Sequence, residues 1–178
     1  DTGHHIIIGP SGSGKTLILV HKVAFLFKYN PSIKHILFVC FNITLVNYLK
    51  RLLADKGVPL GKDGVEVLHF FELCSKILGE EVHYEKEDLT YYQTVTGLTQ
   101  DRLRELSLQY DAILVDEGQD FSDDMYNVIT SLLNKKTNNL TIALDDNQNI
   151  YTNRQSWKEL GVQAKGRVHR ISNIYRNT

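Results

Sequence analysis

Residues 4–16 read HHIIIGPSGSGKT. Three isoleucines end a short extended run from His4 to Ile8. A turn rich in glycine and serine follows from Gly9 to Gly14, and then Lys15 and Thr16 open a long helical pattern that runs to Tyr29. The last eight residues of the stretch fit G-x-x-x-x-G-K-[ST], and the spacing has a physical reason. Glycines let the backbone wrap an anion with its N–H groups turned inward. A helix starting at Lys15 adds the positive end of its dipole. In such a cradle Gly9, Ser11, Gly12, Ser13 and Gly14 line the phosphates. Lys15 reaches the outer two phosphates, and the Thr16 hydroxyl ligates Mg²⁺. A Gly/Ser surface turn that happens to hold a lysine is the other reading. An apolar strand before the turn and a long helix after it weigh against that.

Outward from this stretch the rhythm repeats. His35–Phe41 (HILFVCF) is apolar almost throughout, as strands buried on both faces of a parallel sheet are. Thr44–Ala54 reads as a helix, Val65–Leu68 as a strand and Phe70–Leu78 as a helix. Further strands are expected at Ala112–Val115, Leu140–Leu144 and Arg167–Ile171, with helices at Phe121–Leu133 and Arg154–Leu160. Residues 79–110 break the rhythm, starting acidic and turning rich in Thr, Tyr and Gln. They read as an insertion of 32 residues closed by a short helix at Leu98–Leu108. Strand alternating with helix predicts an α/β fold, a mostly parallel sheet of five or six strands with helices on both faces.

At 178 residues and 42% hydrophobic content the chain suits one domain with a proper core. A net charge of −1 excludes a binder that works through bulk positive charge, though not a local basic groove. Cys40 and Cys74 sit in apolar runs and read as buried free thiols of a reducing compartment in preference to a disulfide. No stretch is apolar enough to span a membrane, and the start lacks the pattern of a signal peptide. The expectation is a cytoplasmic protein. Because the chain starts almost directly on a buried strand, it reads as an excised piece.

Residues 112–120, AILVDEGQD, hold the second chemical element. An apolar strand delivers Asp116 and Glu117 at its C-terminal end, the edge where open α/β sheets bind ligands. Asp116 is suited to hold Mg²⁺, and Glu117 to orient and deprotonate a water. An acidic loop capping the next helix, through Asp120 or Ser122, is the plainer reading. Two acids beside a triphosphate call for a cation to offset them, which favours the first.

With both elements in place, the chain resembles superfamily 1 helicases of the UvrD/Rep type, in their first RecA-like, P-loop NTPase motor domain. GPSGSGKT is similar to motif I, VCFNITLVNYL to motif Ia, LHFFELCSKIL to the T-F-H-x-L-C stretch and VDEGQD to the D-E-x-Q-D form of motif II. LDDNQNIYTNR resembles motif III, and ISNIYRNT the N-Y-R-S/T motif that follows. The strings fall in family order across residues 6–178. The resemblance implies that Gln148 touches the γ-phosphate and that Tyr175 stacks near the base of ATP. Arg176 would act as an arginine finger, and Phe41, Tyr151 and Arg154 would contact single-stranded nucleic acid, DNA ahead of RNA. Phe41 and Tyr151 also suit plain core positions, and His69, which matches the family histidine, suits a structural role equally well. The resemblance further implies ATP and Mg²⁺ as cofactors and a second RecA-like domain as partner, linked from residues 170–178, for a fragment that is otherwise monomeric. Leu144, Asn153 and Ile174 depart from the family pattern, Asn153 where many members carry a stacking Trp. Two other functions fit the same residues: a P-loop ATPase acting as a regulatory switch, and a nucleic-acid-binding module with a vestigial ATP site.

Overall fold

The structure is a computed structural model that describes residues 3–83, 88–146 and 156–172. In chain order its elements are β1 (Gly3–Gly9), α1 (Lys15–Tyr29), β2 (Ile36–Cys40), α2 (Ile43–Asp55), β3 (Val65–His69), α3 (Phe70–Leu78), α4 (Leu89–Leu103), β4 (Ala112–Val115), α5 (Asp123–Ser131), β5 (Asn139–Asp145) and β6 (Val168–Arg170). The six strands form one sheet in the order β3-β2-β4-β5-β1-β6, and every pairing is parallel. This is the α/β architecture that the strand–helix alternation predicts and the P-loop NTPase arrangement that the resemblance implies.

Because side chains alternate across a strand, each strand feeds two cores. Ile7, Phe38, Cys40, Val67, Leu114 and Ala143 meet Leu19, Val20, Val23 and Leu26 of α1 and Val46, Leu49 and Leu53 of α2. Ile6, Ile8, Leu37, Val39, Ile113, Val115 and Ile142 meet α3 and α5 on the other face. Burial on both faces explains why these strands read as unbroken apolar runs. Cys40 and Cys74 are both free and buried. Among the described residues no helix is long and apolar enough to cross a membrane.

The structure corrects the sequence reading in three places. The helix of the insertion is not Leu98–Leu108 but Leu89–Leu103, a 15-residue helix capped by Asp88 and packed on α3 and α5. The expected helix Phe121–Leu133 is shorter. Gly118–Asp120 form a single 3₁₀ turn, Phe121 drops into the core, and the Ser122 hydroxyl caps α5 by accepting from Met125 N. The expected helix Arg154–Leu160 is, in its described part, a hydrogen-bonded turn. There the Ser156 and Glu159 side chains each bond the other residue's backbone N–H.

Candidate nucleotide site

The C-terminal ends of β1, β5 and β4 stand side by side in the sheet. Neighbouring strands lie about 4.8 Å apart, so the loop after β1 and the acids after β4 face each other with the tip of β5 between them. Gly12 and Gly14 both take positive φ, 76° and 86°, which bends the loop over itself at a conformation open to glycine. Gly14 stands at the N-cap of α1 with no side chain capping the helix and no acid in its first turn. The first N–H groups of a 15-residue helix are thereby left for an anion from outside. Ser13 is buried, and its Oγ has no hydrogen-bond partner. That orphaned hydroxyl within the turn is what a phosphate oxygen would satisfy.

Lys15 is buried. It donates to Gly9 O (2.9 Å) and Pro10 O (3.0 Å) and pairs with Asp145 Oδ1 at 2.6 Å. It therefore stands folded across the cradle, held by the last residue of β5. Thr16 Oγ1 donates to Asp116 Oδ2 at 2.6 Å. Asp116 is fully buried, and that burial pushes its carboxyl above the ordinary range, with the Glu117 charge adding to the effect. The hydrogen bonds from Thr16 and the Glu117 backbone, and the Lys15 charge, pull the other way. A hydroxyl and a carboxylate in contact form the hard oxygen set that suits Mg²⁺, so the residues present fit that ion. Glu117 follows with φ 51°, a left-handed conformation that a residue with a side chain adopts at a cost of about 1–3 kcal/mol.

Two site residues were missed by the motif reading. Asp145 holds Lys15, as above. Gln119 donates through Nε2 to Glu117 Oε2 and accepts through Oε1 from Asp145 N at 3.1 Å. One amide thus spans from the candidate base to the strand that holds the cradle lysine. The Q of D-E-x-Q-D was the available signal for Gln119, while Asp145 was visible only as the acid of motif III. Gly118 fills the x position because nothing larger fits: a Cβ there would lie 2.6 Å from the Tyr126 hydroxyl.

Phe41 lies just past β2, half-buried, against Phe71 and Phe121 (5.9 Å each, edge-on) and tilted on His69 at 5.4 Å. It also lines a cavity of about 500 Å³ with Leu89, Tyr92 and Met125. His69 is structural. Its ring accepts from Phe71 N at 3.2 Å, completing a capping box with Glu72, and its other nitrogen donates to Phe41 O at 2.6 Å. Accepting through one nitrogen requires the neutral ring. Burial accordingly lowers its pKa, against the opposing pull of the Phe41 carbonyl and Glu72. Gln148, Tyr151, Arg154, Tyr175 and Arg176 lie outside the described residues.

The sequence matches a family described as "AAA domain" over residues 1–154. No curated protein matches it. Among solved structures, the crystal structure of Pif1 helicase from Candida albicans is similar, with 12% sequence identity and a TM-score of 0.49. The match covers 97% of this chain and 37% of that one.

Proposed function

The chain belongs to the AAA-domain family, and from that premise we propose that it is the ATP-hydrolysing motor domain of a UvrD-like superfamily 1 helicase that moves along single-stranded DNA. The observation that carries the reading is the convergence of Lys15, Thr16, Asp116, Glu117 and Asp145 on one point of the sheet edge, with the uncapped start of α1 aimed at it. The order of the motif-like strings supports the helicase assignment, and the described part of motif III, Asp145, sits within that convergence.

The triphosphate occupies the turn from Gly9 to Gly14, its oxygens taking hydrogen bonds from the backbone, Ser11 and Ser13. Lys15 exchanges Asp145 for the β- and γ-phosphates. Thr16 and Asp116 hold Mg²⁺, which when bound neutralises charge on the phosphate oxygens. Glu117, steadied by Gln119, accepts a proton from the attacking water. That water's oxygen bonds to the γ-phosphorus as the bond to the bridging oxygen breaks and ADP leaves. Gln148 and Arg176 complete the charge clamp and Tyr175 stacks near the base. Phe41, Tyr151 and Arg154 follow the strand, and closure against a second motor domain converts turnover into movement.

Titration of a fluorescent ATP analogue with Mg²⁺ into wild type and Lys15→Ala tests the site. Saturable binding by wild type and its loss in the variant are expected; equal binding would end the ATPase reading. Stimulation of turnover by single-stranded DNA, measured on the longest soluble form of the chain, tests the motor. Turnover indifferent to the strand would favour a regulatory switch, and strand binding without nucleotide binding would favour a vestigial site.

A further inference from the structure

Helix α1 (KTLILVHKVAFLFKY) is apolar on more than the side it turns to the sheet. Leu19, Val20, Val23 and Leu26 are buried, yet Phe25 and Tyr29 on the outer side are 59% and 62% exposed. A helix with apolar residues on both sides normally has a cover on each. Phe25 and Tyr29 are one turn apart, with ring centroids separated by 5.1 Å, and Lys28 Nζ lies 5.2 Å from the centre of the Tyr29 ring. These residues line an open groove of about 560 Å³ with His21, Lys22, Ala24 and Lys56, the last from the C-cap of α2. The groove has three lysines and a histidine and no acid. Among the described residues no carboxylate lies within 4.0 Å of Lys22, Lys28 or Lys56. Lys22 is half-buried, and that burial pushes its ammonium down to about 8. A chain of net charge −1 has thus kept a local cluster of cations without carboxylate partners beside two exposed aromatic rings.

We propose that this groove binds single-stranded nucleic acid, with Phe25 and Tyr29 stacking on bases and Lys22, Lys28 and Lys56 meeting the phosphates. Rings interleaved with cations are what sequence-tolerant strand binding requires. The cations are all lysines, point charges suited to a flexible phosphate backbone. The exposed ring faces set the occupant: a strand offers planar bases beside its phosphates, whereas the carboxylates of an acidic protein would engage the lysines alone. At 1.5 Å per helical residue, Phe25 and Tyr29 stand about 15–20 Å along α1 from Lys15, at the opposite edge of the sheet from the nucleotide cradle. The groove is therefore separate from the cradle and from Phe41, which follows the C-terminal end of β2, and its role does not depend on the ATPase reading.

Fluorescence anisotropy with a labelled oligothymidylate of about 15 nucleotides tests the proposal across a salt series. The 178-residue chain is compared with Phe25→Ser/Tyr29→Ser and with Lys28→Glu/Lys56→Glu. All four side chains are exposed, so unchanged melting curves and unchanged ATP-analogue binding are expected of both variants. The aromatic pair should weaken strand binding by about 10-fold or more. The lysine pair should also weaken it and flatten the slope of log K against log salt by about 1.4, the contribution of two single-strand phosphates. Photocrosslinking with 5-iodouracil-substituted strand should label Phe25 or Tyr29. Lys15→Ala should leave strand affinity in place, which separates this site from failure of the cradle. Wild-type affinity in both double variants, or crosslinks confined to other segments, would overturn the proposal. So would a polyglutamate probe that loses binding in the lysine variant while oligothymidylate does not, since that would make the groove a protein contact.

Discussion

Gly118 is the position where the acidic loop after β4 can be perturbed without touching a side chain of the candidate site. It follows Glu117 directly, and its backbone is pressed between β5 and α5: a Cβ there would meet Tyr126 Oη at 2.6 Å, Ile142 Cγ2 at 2.7 Å and Leu144 Cδ2 at 2.8 Å. Tyr126 is fully buried and donates to Gly118 O at 2.7 Å, while Ile142 and Leu144 are core residues of a central strand. None of the three atoms can retreat cheaply. Overpacking of a tight core costs about 1–3 kcal/mol, and weakening the tyrosine bond adds about 0.5–1.5 kcal/mol. Gly118→Ala should therefore lose about 2–4 kcal/mol. For a chain of this size that is a fall of about 5–15 °C in Tm, measured by circular dichroism. Gly97 gives the matched control. It is exposed on α4 with nothing within 4 Å of its would-be Cβ, so Gly97→Ala removes only a helix penalty of about 0.5–1 kcal/mol. It should raise Tm by about 1–4 °C. If Gly118→Ala melts with wild type, the close approach of the acidic loop to β5 is wrong, and with it the placement of Glu117.

Three more outcomes follow from the same contacts. Asp145→Asn keeps an acceptor for Lys15 but removes the charge. The nucleotide-free protein should lose about 1–3 kcal/mol, while ATP-analogue binding tightens, because Lys15 no longer leaves an ion pair to reach phosphate; weaker binding by a folded variant would refute that competition. Acid should destabilise the protein through His5, which burial and then the charges of Lys22, His169 and Arg167 push down from 6.5 to about 4. Between those values the unfolded chain binds the extra proton, so His5 stabilises above 6.5, and about 1–2 kcal/mol is lost by pH 5. His5→Asn should reduce the slope of urea-derived stability over that window, leaving the share of His4 and His69, whose pKa values burial also lowers, and an unchanged slope would exclude His5 as a source. Burial pushes Cys40 up to about 12 and Cys74 up to about 11, so neither should react with Ellman's reagent at pH 8 until guanidinium unfolds the chain. Rapid labelling of the native protein would contradict their burial.

What the sequence made legible was whatever one segment carries by itself. β2 and β4 read as strands because both of their faces are covered, leaving no polar alternation to interpret. The cradle was readable because a glycine turn between a strand and a helix has few other uses, and Thr16 and Asp116 do meet while Lys15 meets Asp145. α4 was obscured by chemistry within the helix. Its buried positions are Val95, Thr96 and Thr99, and Thr94, Thr96 and Thr99 turn their hydroxyls onto carbonyls four residues back. Threonine has poor helix propensity and supplies little apolar rhythm, so the segment reads as irregular until α3 and α5 are seen to hold it. Phe41 shows the opposite failure. Its place at the end of an apolar strand was readable to within one residue, since β2 stops at Cys40, but its setting depends on Phe71, Phe121 and His69, which come from three later segments.

The contacts that join the two halves of the site were the least accessible, and the reason lies in strand order. Lys15 and Asp145 are 130 residues apart, and Gln119 and Asp145 are 26 apart. Motifs give each residue a local address, but only the sheet order sets β5 between the strand that carries the cradle and the strand that carries the acids. That placement makes Asp145 common to both: its carboxylate holds Lys15, and its backbone N–H donates to the amide that steadies Glu117. An independent link runs from Thr16 to Asp116. The cradle and the acidic tip are therefore bound together twice, once directly and once through β5. A ligand that draws Lys15 off Asp145 acts on the same residue that anchors Gln119, so phosphate binding and the position of Glu117 are physically joined within this one domain.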